Sequence, residues 1–375
     1  MKFVPTGGQM RIAAINVNGV RGKENEIKEV CKSMNMDIIG ISETHLENEE
    51  EIQVKGYKWF GKNRDQKIRK GGGVGLLVRE SIQASEIEFS EEEMGMDISD
   101  CRVINEIDWV SMGRKHHEIA VGVVYLGHEG IEKSWNEEVY RLLQIQVAAI
   151  RKRGMKVILM GDFNAHIGIG GEKVNENGRM LLNFTENSDL QIGNEWVNCE
   201  GKWTRIVGRS RTIVDYILVD KEVWEGVTKV VIDEMGELEI GSDHCWLWMD
   251  LKTFIKQTHR CKRKFQWNIT SQTDWSGFRE QLQVRLEKKK VEEGEDSRVE
   301  KEGRRITQCI IEAAEQSIGR KPVLPREKKM TKEMRESIKQ RRTTRKQWYA
   351  ALKKKDRSEE RRVGKECRSR WSPYH

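Results

Sequence analysis

Apolar residues alternate with polar ones over residues 10–17, and the run stops at Asn18-Gly19, a turn-forming pair, so the pattern predicts a strand closed by a turn. Ile27, Val30, Cys31 and Met34 then fall at i, i+3, i+4 and i+7, the spacing of an amphipathic helix. Residues 37–42 form a short apolar run that reads as a buried strand. A triple glycine, Gly71-Gly72-Gly73, leads into another at 74–79. Further strands are expected at 118–125, 156–160, 191–197, 212–219 and 245–251. Helical spacing recurs at Val139, Leu142, Leu143, Gln146, Val147 and Ile150, and again at Met180, Leu181 and Phe184. Strands mixed with helices over roughly 240 residues imply an α/β (α+β) domain, with a two-layered sheet core and helices outside. Each polar motif lies at the expected end of a strand, so the motifs converge on one rim.

The pattern changes after Thr258. Sheet-like runs disappear, and two segments, 274–290 and 304–318, carry apolar residues at helical spacing, with a charged linker at 292–302 between them. Residues 326–356 are mostly Lys, Arg, Glu and Gln, a basic helix or a disordered arm. The expected organisation is a flexible N-terminus (1–9), a mixed strand-and-helix domain (10–253) and a basic helical linker region (254–356). The last nineteen residues, 357–375, read as the translation of a sequencing adapter and are set aside.

Charge sharpens this division. The chain of 375 residues carries a net +7, but residues 1–256 hold 33 Lys and Arg against 42 Asp and Glu, a balance of −9. Residues 257–356 hold 28 against 15, a balance of +13. The acidic block suits a metal site; the basic one could add affinity for phosphate or simply be a solvated helical surface. With 34% charged residues and no apolar run near 18 residues, a membrane span and a signal peptide are not expected. Seven cysteines without a CxxC pair fit a reducing, intracellular compartment.

Four strings carry the chemistry: Glu43-Thr44-His45, Gly161-Asp162-Phe163-Asn164, Val214-Asp215-Tyr216 and Ser242-Asp243-His244. In order they read as a metal carboxylate, a carboxylate/amide pair, a carboxylate able to orient a histidine, and the histidine. Neutralising phosphate charge needs a hard cation on oxygen ligands, and attack by water needs a base near neutral pKa. The set is the inventory of a metal-assisted phosphodiester hydrolase.

With Asn16-Val17-Asn18-Gly19, Gly72-Gly73-Val74-Gly75 and Tyr125 in the same order, residues 10–251 resemble the endonuclease/exonuclease/phosphatase superfamily. Within it they look most like the endonuclease domain of non-LTR (LINE-type) retrotransposon polyproteins and the craniofacial development protein 2-like sequences. The resemblance implies a four-layer sandwich of the deoxyribonuclease I type. It implies that Glu43, Asn18 and Asp243 lie at a Mg²⁺ site that also accepts Mn²⁺, with Asn16 in support. Asp162 would hold or activate the attacking water, Asn164 would bind phosphate, and Tyr125 would donate to a phosphate oxygen. His244 would contact the scissile phosphate or move a proton, with Asp215 on its other ring nitrogen. Arg205, Arg209 and Arg211 could clamp DNA phosphates. His45 is expected to be structural or solvent-facing. Two departures from the family pattern stand out: Asn18 where several relatives have Asp, and Leu126-Gly127-His128 where relatives often follow the tyrosine with Pro and Asn.

The reading is a Mg²⁺-dependent DNA endonuclease that nicks one strand of a duplex, from a truncated retrotransposon frame. It is expected to be a nuclear monomer that binds DNA, with no membrane and no small-molecule cofactor. The alternatives are a catalytically weak, domesticated nucleic-acid or chromatin-binding protein, and a phosphoinositide-type phosphatase. The last is disfavoured because the Leu159-Met160-Gly161-Asp162 and Arg211–Asp215 stretches lack that subgroup's strings.

Overall fold

The computed structural model describes residues 8–64, 71–95, 104–114, 117–128, 130, 133–169, 171–195, 198–253, 265–270, 273–288, 298–322, 331–348 and 350–351. Residues 357–375 lie outside them. The strands of the main body are β1 (Gly8–Asn16), β2 (Ile38–Ser42), β3 (Tyr57–Lys62), β4 (Val74–Arg79), β5 (Ala84–Glu86), β6 (Ile107–Arg114), β7 (His117–Tyr125), β8 (Lys156–Asp162), β9 (Leu190–Ile192), β10 (Cys199–Glu200), β11 (Arg205–Val207), β12 (Ser210–Thr212), β13 (Asp215–Asp220), β14 (Val227–Ile232) and β15 (Leu247–Thr253). Its helices are α1 (Glu24–Ser33), α2 (Glu91–Met94), α3 (Lys133–Lys152), α4 (Glu176–Asn187) and α5 (Lys221–Trp224). One sheet runs β10-β14-β15-β1-β2-β4-β3, the other β5-β6-β7-β8-β13-β9, and β11 and β12 form a separate hairpin.

Side chains alternate across each strand, so every central strand serves two cores. From β1, Met10, Ile12 and Ala14 enter the core between the sheets with Val121, Met160 and Ile217. Ala13 and Ile15 face outward onto Ile27, Val30 and Cys31 of α1. On the far side Trp109, Leu159 and Leu218 meet Val139, Leu143, Val147 and Phe184 of α3 and α4. The layers are therefore helix, sheet, sheet, helix. Covering both faces explains why β2 and β13 read as continuous apolar runs rather than alternating ones.

Several strands escape the hydrophobic pattern: β3, of which only Phe60 is fully buried, β6 and β14, and the two- to three-residue β5, β10 and β11. The strand expected at 191–197 stops at Ile192, because Gly193–Glu195 turns into a single 3₁₀ turn packed against the β13 backbone. The strand expected at 212–219 begins instead at Asp215. β13 pairs antiparallel with β8, setting Asp215 directly opposite Asp162. Asp215 thus sits at the start of a strand, not the end, and Ser242–His244 likewise precede β15. Both still reach the common rim, because those strands run opposite to their neighbours.

Residues 260–327 form a second compact unit. It pairs β16 (Phe265–Trp267) with β17 (Arg320–Pro322), and packs α6 (Trp275–Lys288) on α7 (Arg298–Ser317). A last helix, α8 (residues 332–348), belongs to the main body. Among the described residues Cys31, Cys199, Cys245 and Cys309 are free thiols, and no helix is long and apolar enough to cross a membrane.

Gly161 is a tight backbone approach beneath the rim. It holds φ +143°, and a Cβ there would stand 2.0 Å from the Val124 carbonyl oxygen. Gly161→Ala should lower stability by about 2–4 kcal/mol, through strain at this φ and displacement of β7. Urea unfolding of the purified variant checks this: an unchanged midpoint would show that β7 and β8 part at no cost.

Candidate active site

The rim gathers residues from both sheets. Asn16 closes β1 and its amide donates to Asp162 Oδ2 at 2.8 Å, joining two residues 146 positions apart. Its own Oδ1 accepts from the Asn18 backbone N–H at 2.9 Å. Asp162 Oδ1 accepts from the Asn164 N–H at 2.9 Å, while Asn164 Nδ2 donates to the Leu126 carbonyl at 2.7 Å. His244 Nδ1 lies 3.0 and 2.9 Å from the two oxygens of Asp215, and its Nε2 lies 3.8 Å from Asp162 Oδ2. The Ser242 hydroxyl donates to the Asn16 carbonyl at 2.7 Å and accepts from the His244 N–H at 3.1 Å. The Thr204 hydroxyl accepts from the N–H groups of Val214 and Asp215 at 2.9 and 3.1 Å, which fixes where β13 begins.

Glu43 stands just past β2, mostly buried. Burial alone would raise its pKa, but hydrogen bonds with His45, Tyr125 and Asn16 bring it down to about 2, so it stays ionised. His45 Nε2 is 3.5 Å from the Glu43 carboxylate, closer than a purely solvent-facing residue would be. Asp162 is pushed the other way: complete burial and the neighbouring Asp215 raise its proton affinity, against His244 and the N–H and amide donors. Burial would lower the His244 pKa, but Asp215 and then Asp162 outweigh it and raise it. Tyr125 is raised by burial and by Glu43, so its hydroxyl keeps its proton.

Backbone strain concentrates here. Asn18, Glu43, His45 and Asn164 all hold positive φ, between 44° and 54°. Asparagine tolerates that region; glutamate and histidine pay more for it, and such outliers cluster at functional sites.

Asp162, Asp215 and His244 present ligand atoms within 4.8 Å of one another. Asp243 lies outside this trio: its carboxylate is held by Arg205 at 2.8 Å. Asn18 is exposed, with its backbone tied to Asn16. Arg205, Arg209 and Arg211 ride on the β11–β12 hairpin, Arg209 at its exposed turn and Arg205 engaged by Asp243. His128 is exposed at the end of the loop that follows Tyr125.

Sequence reasoning missed the scaffold behind these groups. Asn136 on α3 bonds both backbone groups of Gly127, and Asn177 on α4 donates to Gly127, Phe163 and Asn164 carbonyls. A buried amide is costly unless fully bonded, so an asparagine on each helix's apolar face was the available signal. Arg64 was also missed: it is buried, pairs with Glu106, and places its guanidinium 5.7 Å from the Tyr125 ring centroid. Nothing local in the sequence marks it.

The family model for the endonuclease/exonuclease/phosphatase family matches residues 13–244, and the chain belongs to that family. Among curated proteins it is similar to craniofacial development protein 2 from Bos taurus, 25% identical over 271 residues, 68% of this chain and 42% of that protein. It is also similar to DNA-(apurinic or apyrimidinic site) endonuclease 2 from Xenopus laevis, 28% identical over 188 residues, 41% of this chain and 36% of that protein. The chain thus spans less than half the length of the curated relatives it matches. Among solved structures, the AP endonuclease LMAP from Leishmania major superposes with a TM-score of 0.54 at 13% identity, over 68% of this chain and 93% of that one. The likeness establishes the deoxyribonuclease I-like fold. The endonuclease domain of TRAS1, a telomere-specific non-LTR retrotransposon, is a further neighbour, with a TM-score of 0.48 and 18% identity over 65% of this chain and 99% of that one.

The raised His244 pKa has a direct test. The imidazolium contributes stability fully present below about pH 6.5 and lost as pH rises through the folded-state value. NMR titration of the His244 ring should give a midpoint above 6.5, and Asp215→Asn should bring it down by about one unit or more. A midpoint unmoved by Asp215→Asn would show that the pairing does not set the charge.

Proposed function

We propose that this chain is a divalent-metal-dependent phosphodiester hydrolase that nicks one strand of duplex DNA. The observation that carries the reading is the buried constellation Asn16–Asp162–His244–Asp215 at a rim where Glu43 is held ionised. The donor set also fits a metal. Three mostly buried carboxylates (Glu43, Asp162 and Asp215) share one buried imidazole, His244, with the more open His45 beside Glu43, and a hard cation would neutralise the remaining negative charge.

Glu43 is the residue proposed to hold Mg²⁺, or Mn²⁺ in its place, with Asn18 and Asp243 as outer partners. Bound there, the ion would supply charge neutralisation at the phosphate and Lewis-acid polarisation. Asp162, with its raised proton affinity, accepts the proton of the attacking water, and Asn16 fixes the carboxylate that does so. His244 faces the same space as an imidazolium and stabilises negative charge developing on phosphate, while Asp215 accepts from its Nδ1–H and fixes the ring's orientation. Asn164 and the protonated Tyr125 are phosphate donors. Arg209 on the exposed hairpin is the proposed contact to the DNA backbone, with Arg205 and Arg211 beside it. The Xenopus relative's name specifies DNA, which supports a DNA substrate; the motif order supports a non-LTR retrotransposon frame, and a DNA substrate makes the nucleus the proposed place of action.

One observation favours a second reading, a nucleic-acid-binding protein of weak activity. Around Glu43, Asn18 brings no charge and Asp243 is already paired with Arg205, and craniofacial development protein 2 is among the relatives. Nicking of supercoiled plasmid separates the two. Magnesium-dependent conversion to open circles is expected, and Glu43→Gln should cut it by about two orders of magnitude or more while the fold survives. Full activity in that variant would remove Glu43 from the metal site.

His244→Ala and Asp215→Asn should each reduce nicking, and the double variant should lose much less than the product of the two, because the pair acts as a unit. Multiplicative losses would make them independent.

A further inference from the structure

The basic stretch near the end of the chain looked like a free surface, yet α8 spends its cations on the acidic body. Arg341 Nε lies 2.5 Å from Glu239 Oε2, and its other arm pairs with Glu26 of α1. Arg342 Nε donates to the Glu239 carbonyl at 3.2 Å, and Lys346 meets Glu237 at 2.7 Å. Arg345 reaches furthest inward. Its Nη1 donates to the Ser242 carbonyl at 3.1 Å and stands 3.6 Å from Glu239, while Nη2 lies 3.8 Å from Cys245 Sγ. Its stem covers Gly236, where a Cβ would come within 2.7 Å of Arg345 Cδ.

Ser242 and Cys245 bracket Asp243 and His244. Glu239 Oε1 also accepts from the Gly241 N–H, so the segment 239–245 is anchored on this side by α8. On the other side it is anchored by the Ser242 hydroxyl on Asn16 and the Cys245 N–H on Thr204. We infer that Arg345 is a positioning residue for His244: α8 is a brace, supplied about a hundred residues downstream, that holds the histidine-bearing segment against the rim. The inference rests on the catalytic reading only for its kinetic consequence. Guanidinium donation to a carbonyl is a charge-assisted bond in a partly buried place, strong enough to bias a short loop. The same ion pairs mean that Arg341, Arg345 and Lys346 are not free for nucleic acid while α8 is docked.

The test uses the full chain. Arg345→Met keeps the stem over Gly236 and removes every donor; Arg345→Lys restores one donor and the charge; Lys346→Ala removes a mostly exposed pair on the same helix. Amide hydrogen exchange is read over residues 239–247, and plasmid nicking is read as kcat and KM. Arg345→Met should speed exchange at His244 and Cys245 by about tenfold and lower kcat by a few-fold with little change in KM. Arg345→Lys should recover most of both, and Lys346→Ala should move neither. Arg341→Met loosens α8 without touching Ser242 and should give the same pattern more weakly, so it decides the matter should Arg345→Met fail to fold. Unchanged exchange at 239–247 in the folded variants, or no recovery with lysine, overturns the brace. A wild-type chain that shows no nicking but loses protection in Arg345→Met would overturn the catalytic reading and leave the brace standing.

Discussion

The hydrogen bond from Asn16 to Asp162 ties the two sheets together at the rim that carries the candidate site. Over most of their area the sheets meet through apolar side chains, which are non-directional and tolerate small shifts; the Lys62–Asp108 and Arg64–Glu106 pairs join them at another edge. At this edge a short, buried amide–carboxylate contact sets the relative height of β1 and β8. Ser242 then hangs the histidine segment from the same asparagine backbone, and β13 pairing on β8 brings Asp215 to the other face of the imidazole. Asp162, Asp215 and the Ser242–His244 segment, all distant in sequence from Asn16, are thereby positioned from one point.

The electrostatics follow from that convergence. Two fully buried carboxylates next to each other cannot both be ionised cheaply, so the proton affinity of Asp162 rises and His244 takes on charge to balance Asp215. Glu43 is spared because it has donors instead of a carboxylate neighbour. Its left-handed backbone is part of the same arrangement: the chain turns back at 43–45 onto the Gly72 and Gly73 carbonyls, a geometry bought with local strain.

Much of the fold was legible because apolar runs ended in polar motifs. Glu43, Tyr125 and Asp162 could be placed from their strands alone, and β4 was located to the residue. Direction was not legible. A strand has the same period read either way, so Asp215 at the head of β13 and His244 ahead of β15 were assigned to strand ends, although they reached the right rim. Asn136, Asn177, Arg64 and Arg345 were out of reach for another reason. Each earns its place through a partner from 9 to more than 100 positions away, and a lone asparagine or arginine has no period.

The β11–β12 hairpin stands apart from this network at its tip. Thr204 closes its base by bonding Thr212 and the first residues of β13, and Arg205 and Ile206 are fastened to Asp243. Residues 207–210 beyond that clasp are exposed and carry no load for the rim. Natural drift can therefore rewrite these four positions, in length as well as in identity, while Asp215 stays where it is. The hairpin tip is a replaceable projection beside a fixed rim, and chains that share the rim are free to differ there in length and charge.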